Sequence, residues 1–192
     1  MALAFVVPYN NRMTTITYFV HSITTDNENK RATGWQPGEL SAVGIEKAEA
    51  LREQLADRQF DVVFCSDLQR AVDSAQIFFG DRFAIVQDKR LREANYGEYT
   101  GGPFFFKEHV QDFINVPFPG GESYHDVERR MRDFCDFLAA NYDGKHVAIV
   151  AHHAPQMALD VILKHKTWEQ AFAQDWRKTG GWQPGWDYII AS

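Results

Sequence analysis

Thr14 to Val20 reads TTITYFV, a β-branched and aromatic run that predicts a buried strand delivering His21 at its C-terminal end. A polar stretch follows from Ser22 to Glu39 and ends around the turn pair Pro37-Gly38. Ser41 then opens a helical pattern with Ile45, Ala48, Leu51 and Leu55 on one face. Asp61 to Cys65 (DVVFC) predicts a second strand, and Ser66 with Gln69 has the spacing of a capping box, which puts Arg70 in a helix's first turn. Phe83 to Val86 predicts a third strand, followed by the loop LREANYGEYTGG. Ser123 and Asp126 repeat the capping-box spacing and open a long helix to about Asn141. His146 to Val150 (HVAIV) predicts a fourth strand that stops just before Ala151-His152-His153, and Trp186 to Ile190 can close the sheet. Strands alternating with helices in this way predict an α/β sandwich, a mixed, mostly parallel central sheet with helices on both faces.

Composition narrows this only at the margins. The chain of 192 residues suits one domain over residues 1–192, with residues 1–13 as an N-terminal extension. A net charge of -6 argues against a nucleic-acid or membrane-surface partner, which would need a basic face. No stretch approaches the roughly 20 apolar residues of a membrane span, and the start lacks a basic n-region, so a cytoplasmic protein is expected. The two cysteines, Cys65 and Cys135, are far apart, and Cys135 shares a helical stripe with Val127, Met131, Phe134 and Leu138, which makes it a core residue. His109, His125, His146 and His165 sit in polar contexts and read as surface residues. No HxxxH, HExxH or Cys/His cluster is present, so neither a metal nor another cofactor is expected. GWQPG occurs at Gly34 to Gly38 and again at Gly181 to Gly185, which reads as shared turn chemistry.

An acidic protein that binds an anion must concentrate positive groups locally. Two predicted strands each end in a histidine, His21 and His152, at the edge where open α/β sheets bind ligands. A third leads into a helix whose first turn carries Arg70, and helix N-termini favour anions through free N–H groups and dipole. Two histidines, an arginine and a helix N-terminus suit a phosphate group.

The segments HSITTDNENKRATG, SDLQRAVDSA, LREANYGEYTG, PGGESYHDVERR and VAHH occur in this order from about residue 14 to 156. Together they resemble the histidine phosphatase (phosphoglycerate-mutase-like) superfamily. SDLQRAVDSA is the most specific piece, with Ser74 where that family usually has threonine. The resemblance implies that His21 attacks phosphorus to form a phosphohistidine, and that His152 and Arg70 hold the phosphoryl oxygens. It further implies that Glu93 protonates the departing alkoxide, and that no metal is required. Asn27, Arg31, Thr33 and Gly34 match the family's loop after the nucleophile, which contacts phosphate or the rest of the substrate. The implied partner is a small-molecule phosphate ester.

The pattern breaks at one place. Where the family has Arg-His-Gly, this chain has Val20-His21-Ser22, so the first pocket arginine is missing. A charge-assisted hydrogen bond contributes about 1.5–3 kcal/mol, so another cation has moved in or catalysis is weakened. Arg31, Lys30, Arg12 and His153 are candidates, with Arg31 favoured because it sits in the adjoining loop. His153 itself replaces the usual glycine after the second histidine. Three functions are therefore open: a metal-independent phosphomonoesterase, a weakened or repurposed ligand-binding member of the fold, and a phosphoglycerate mutase. RATGW and Tyr96 suggest the mutase, but the family's mutases carry an arginine-bearing insertion between LREANYGEYTG and PGGES, and here that stretch holds Lys107 and His109 without arginine. The aromatic run Phe104, Phe105 and Phe106, with Phe113 and Phe118, reads as packing for that segment; any ring facing the site would favour a substrate with an apolar body.

Overall fold

The computed structural model describes residues 13–180 and 183–191. Five strands, β1 (Met13–Val20), β2 (Val62–Cys65), β3 (Ile85–Gln87), β4 (His146–Ala151) and β5 (Trp186–Ala191), form one sheet in the order β3-β2-β4-β1-β5. The first four are mutually parallel, and β5 runs antiparallel along β1. The expected mixed, mostly parallel α/β sandwich is what forms. The extension expected over residues 1–13 falls outside the described residues except for Met13, which already lies in β1, and Arg12 is likewise outside them.

Alternation along the strands decides which face each side chain covers. Ile16 and Tyr18 of β1 and Val147, Ile149 and Ala151 of β4 pack on the side of α4 (Tyr124–Asn141) and α5 (His153–Leu163). Phe19, Ala148 and Val150 point the other way, toward α2 (Ala42–Gln54) and α3 (Gln69–Phe79). On that second side Phe19, Phe60 and Phe79 meet edge to face, with centroids 5.4 to 6.2 Å apart. Truncating one such buried ring to alanine costs about 3–5 kcal/mol. Cys135 is buried as expected, and both cysteines are free.

Helix starts follow local chemistry, with one exception. Ser123 Oγ accepts from the Asp126 N–H and Asp126 returns the bond to Ser123 N–H, the reciprocal cap expected there. Ser41 caps α2 through the Gly44 N–H. The Ser66–Gln69 box does not form. Ser66 Oγ instead accepts from the Leu68 N–H at 3.2 Å, and α3 begins at Gln69 with no side-chain cap. Arg70 still lies in the helix's first turn.

Two further expectations are corrected. Ile45 is 42% exposed, because the buried stripe of α2 runs through Gly44, Ala48 and Leu51. His146 is half-buried, its Nε2 2.9 Å from Thr17 Oγ1 and its ring tilted against Phe60 with centroids 4.7 Å apart, because the first residue of β4 is covered by the segment entering β2.

Candidate active site

β1 and β4 are neighbours with Val20 opposite Ala151, so the sheet register places His21 and His152 side by side. The His21 N–H continues the ladder to Ala151 O at 2.9 Å, and the two imidazole centroids lie 5.1 Å apart. The proximity expected from two separate sequence motifs is thus a consequence of strand pairing.

The surroundings of His21 fix its tautomer. Nδ1 lies 2.7 Å from the Ser22 carbonyl, which can only accept, so the ring proton sits on Nδ1. Nε2 then carries the lone pair, and the Arg70 Nε–H donates toward it at 3.3 Å. Burial, and next the Arg70 charge, push the His21 pKa down to about 3 against the Ser22 bond, so the ring is neutral at pH 7.

Arg70 is 2% exposed and has no carboxylate in ion-pair contact among the described residues. Its Nη1 donates to Gln36 O (2.8 Å) and its Nη2 to Gly34 O (2.8 Å), so the PG turn expected from the sequence clasps the guanidinium with carbonyls. Gly38 closes that turn at φ +63°, and a Cβ there would lie 2.9 Å from Thr33 Cγ2 and 3.3 Å from Arg70 Cδ. A buried cation held only by dipoles is a seat for an anion. Ser74, one turn on, donates to Arg70 O at 2.7 Å and accepts the Ser22 N–H at 2.9 Å. A small hydroxyl at that position therefore ties the turn after His21 to the helix carrying Arg70.

His152 is completely buried, and neither ring nitrogen has a hydrogen-bond partner in the protein. An unmet buried donor costs about 1–3 kcal/mol. Burial, then Arg70 and His21, hold its pKa well below the ordinary imidazole value. Its backbone is fixed on both sides by the Tyr18 hydroxyl, which donates to His152 O (2.7 Å) and accepts from His152 N (3.0 Å). Nothing in the motif pointed to Tyr18; its inward register two residues before the strand end was the available signal.

Glu93 stands 8% exposed on the cavity wall. Its Oε1 accepts from the Ala94 N–H (2.9 Å) and from the Ala154 N–H in the first turn of α5 (3.0 Å). The loop carrying it is pinned through Glu93 O by Trp35 Nε1 (2.6 Å) and Arg130 Nη2 (3.0 Å), while Glu122 of PGGES receives both Arg130 and the Asn95 N–H. Trp35 and Arg130 are the positioning residues the motifs did not single out.

The buried His152 ring lies beside His21, and His21, Arg70 and Glu93 line a cavity of about 990 Å3 together with Tyr96, Phe104 and Trp176. Thr33 and Gly34 are buried in its wall, and Asn27 and Arg31 stand exposed at its rim. The Asn27 side chain is occupied in capping α1 (Thr25–Glu28), accepting from the Thr24 N–H at 3.0 Å. Arg31 donates Nε and Nη2 to Gly101 O, at 2.9 and 2.7 Å. Among the described residues, no three His, Cys, Asp or Glu side chains cluster as a metal site, and no helix is long and apolar enough to cross a membrane.

Residues 19–180 match the model of the histidine phosphatase superfamily (branch 1), and the chain belongs to that superfamily. It is 31% identical over 155 residues to a 2,3-bisphosphoglycerate-dependent phosphoglycerate mutase of Rhizobium meliloti, covering 72% of this chain and 74% of that one. It is 26% identical over 153 residues to phosphoserine phosphatase 1 of Hydrogenobacter thermophilus, covering 74% and 72%. Among solved structures, a mycobacterial glucosyl-3-phosphoglycerate phosphatase in complex with VO3 superposes with a TM-score of 0.72 at 29% identity, covering 84% of this chain and 86% of that one.

Proposed function

We propose that this protein is a metal-independent phosphomonoesterase working through a phosphohistidine on His21. The observation that carries the reading is the lone pair of His21 Nε2 facing the buried Arg70 Nε at 3.3 Å, with the unpartnered His152 ring beside it. A phosphoryl group entering between them meets a neutral nucleophile and donors for its oxygens at once.

His21 Nε2 attacks phosphorus, the ester P–O bond breaks, and the alkoxide takes a proton from Glu93. Because Oε1 faces two backbone donors, that proton resides on Oε2. Water then attacks the phosphohistidine, Glu93 takes the water's proton, the P–N bond breaks, and inorganic phosphate leaves with His21 neutral again. Arg70 and His152 stabilise the equatorial oxygens in both steps.

Hydrolysis is favoured over mutase chemistry by the segment between the Gly97 and Gly120 turns. Phe113 and Phe118 stack there at 3.9 Å, and His109 is exposed beside Asp112, so the segment brings no arginine to the cavity for a second phosphate. With Tyr96, Phe104 and Trp176 on the cavity wall, the substrate body is apolar or aromatic in part.

The test is leaving-group dependence. Glu93→Gln should slow hydrolysis of an alkyl phosphate at least about 100-fold, within the range general acid catalysis contributes. Hydrolysis of p-nitrophenyl phosphate, whose leaving group hardly needs a proton, should fall far less. Equal losses on both substrates, or loss of wild-type turnover in EDTA, would count against the mechanism.

A further inference from the structure

The side chain of residue 20 belongs to one particular side of the sheet. Val20 follows Ile16 and Tyr18 in packing on the α4–α5 face, and Trp176 of the short helix Trp176–Thr179 packs against the same cluster. An arginine at position 20 would enter the cavity from that side. The two lysines that line the cavity, Lys30 and Lys47, come from elsewhere: Lys47 from α2 on the opposite face, and Lys30 from the turn after α1. Arg31 is forked onto the Gly101 carbonyl.

One cation does stand on the Val20 side. Arg177 lines the cavity together with Val20, His153 and Trp176. Its Nε lies 3.1 Å and its Nη2 3.0 Å from Asp175 Oδ2, and the Asp175 side chain is only 3% exposed. His153 Nε2 lies 3.1 Å from Asp175 Oδ1, an ion-pair distance off the hydrogen-bond line. Trp176 Nε1 donates to Gln156 Oε1 at 2.8 Å, and its ring packs 5.4 Å from Trp186, so the residue before Arg177 is anchored to both α5 and β5. The fork onto Asp175 uses two of the three guanidinium nitrogens, and Nη1 has no acceptor among the described residues.

We propose that Arg177, held in place by Asp175, supplies to the phosphoryl group the cation that Val20 does not. This assignment rests on the phosphatase reading of the same cavity. It gives the two departures from the family pattern one cause, since His153 replaces glycine where a side chain can brace Asp175. Arg177, Arg70 and Tyr96 line the same cavity. Burial pushes the Asp175 carboxyl up, but His153 and Arg177 outweigh it and hold the group well below the usual carboxylate range, so the clamp is ionised.

The experiment measures kcat/KM with p-nitrophenyl phosphate and, separately, orthovanadate affinity by tryptophan fluorescence. Arg177→Ala should lower kcat/KM at least about ten-fold, the rate equivalent of about 1.4 kcal/mol, and weaken vanadate binding comparably. Arg177→Lys should fall between the two, and adding Val20→Arg to Arg177→Ala should recover most of the loss. Arg177→Ala and Arg177→Lys both within about two-fold of wild type in rate and in vanadate affinity would overturn the assignment. Wild-type protein without turnover would overturn the phosphatase reading instead, and the vanadate titration would still decide whether Arg177 holds the anion.

Discussion

The floor of the cavity and its rim are built on different principles. On the floor, three of the candidate side chains are oriented by backbone, His21 by the Ser22 carbonyl, Arg70 by the carbonyls of Gly34 and Gln36 and Glu93 by two N–H groups, and the main chain of His152 is held by the Tyr18 hydroxyl. On the rim, charged side chains stand exposed, and Arg31 rests on one carbonyl while Arg177 leans on a single buried aspartate. Backbone geometry is set by strand pairing and tight turns, so the floor is rigid before any ligand arrives. Rim side chains can change without disturbing the fold. On the proposed mechanism the reacting groups sit on the floor, and the rim adds the Arg177 contact and whatever meets the rest of the substrate.

That contrast is broken or sharpened first at Arg70 and Arg31. Arg70→Ala should reduce kcat on the order of 10³-fold, the scale on which a transition-state arginine acts in phosphoryl transfer. Arg31→Ala should stay within about three-fold of wild type, since a solvated group bound to one carbonyl contributes little. Steady-state kinetics of the two purified variants decide it; a larger loss at Arg31 than at Arg70 would invert the assignment of floor and rim.

The floor should also reveal itself in stability. Burial first, and Arg70 next, depress the His21 pKa from 6.5 to about 3, and His152 shifts in the same direction. Between pH 6.5 and 3 the unfolded chain therefore binds protons that the folded chain does not. Stability falls as pH drops through this window, by up to about 1.4 kcal/mol per pH unit for each such histidine. Urea unfolding at pH 7, 5.5 and 4.5 should show His21→Ala with a shallower pH slope than wild type. Identical slopes would mean that His21 is not buried neutral.

How much of this was legible in the sequence follows the same division. The floor was legible because strand ends and turn residues leave strong local patterns: TTITYFV before His21, HVAIVA before His152, Pro37-Gly38 beside Arg70. The mixed, mostly parallel sheet also followed from the alternation of strands and helices, and Glu93 was singled out by the resemblance those patterns carry. What escaped were contacts across long stretches of chain. Arg177 reaches a cavity whose floor residues His21 and Arg70 lie more than a hundred residues earlier, and no local pattern in DWRKT marks it as such. Tyr18 reads as one more aromatic core residue until β1 and β4 are paired. Ile45 and the Ser66 box were misread because helical periodicity and cap spacing say which patterns are compatible with a helix, not where the neighbouring loop draws its hydrogen bonds.

The central claim is that His21 Nε2 becomes covalently phosphorylated. Wild-type protein mixed with an excess of a 32P-labelled phosphate ester it turns over, then quenched in alkali within milliseconds, should carry label in an acid-labile, base-stable bond that peptide mapping places on His21. His21→Ala, folded by circular dichroism, should carry none and show no turnover. Wild-type turnover without trapped label on any histidine, or full activity in His21→Ala, would contradict the account.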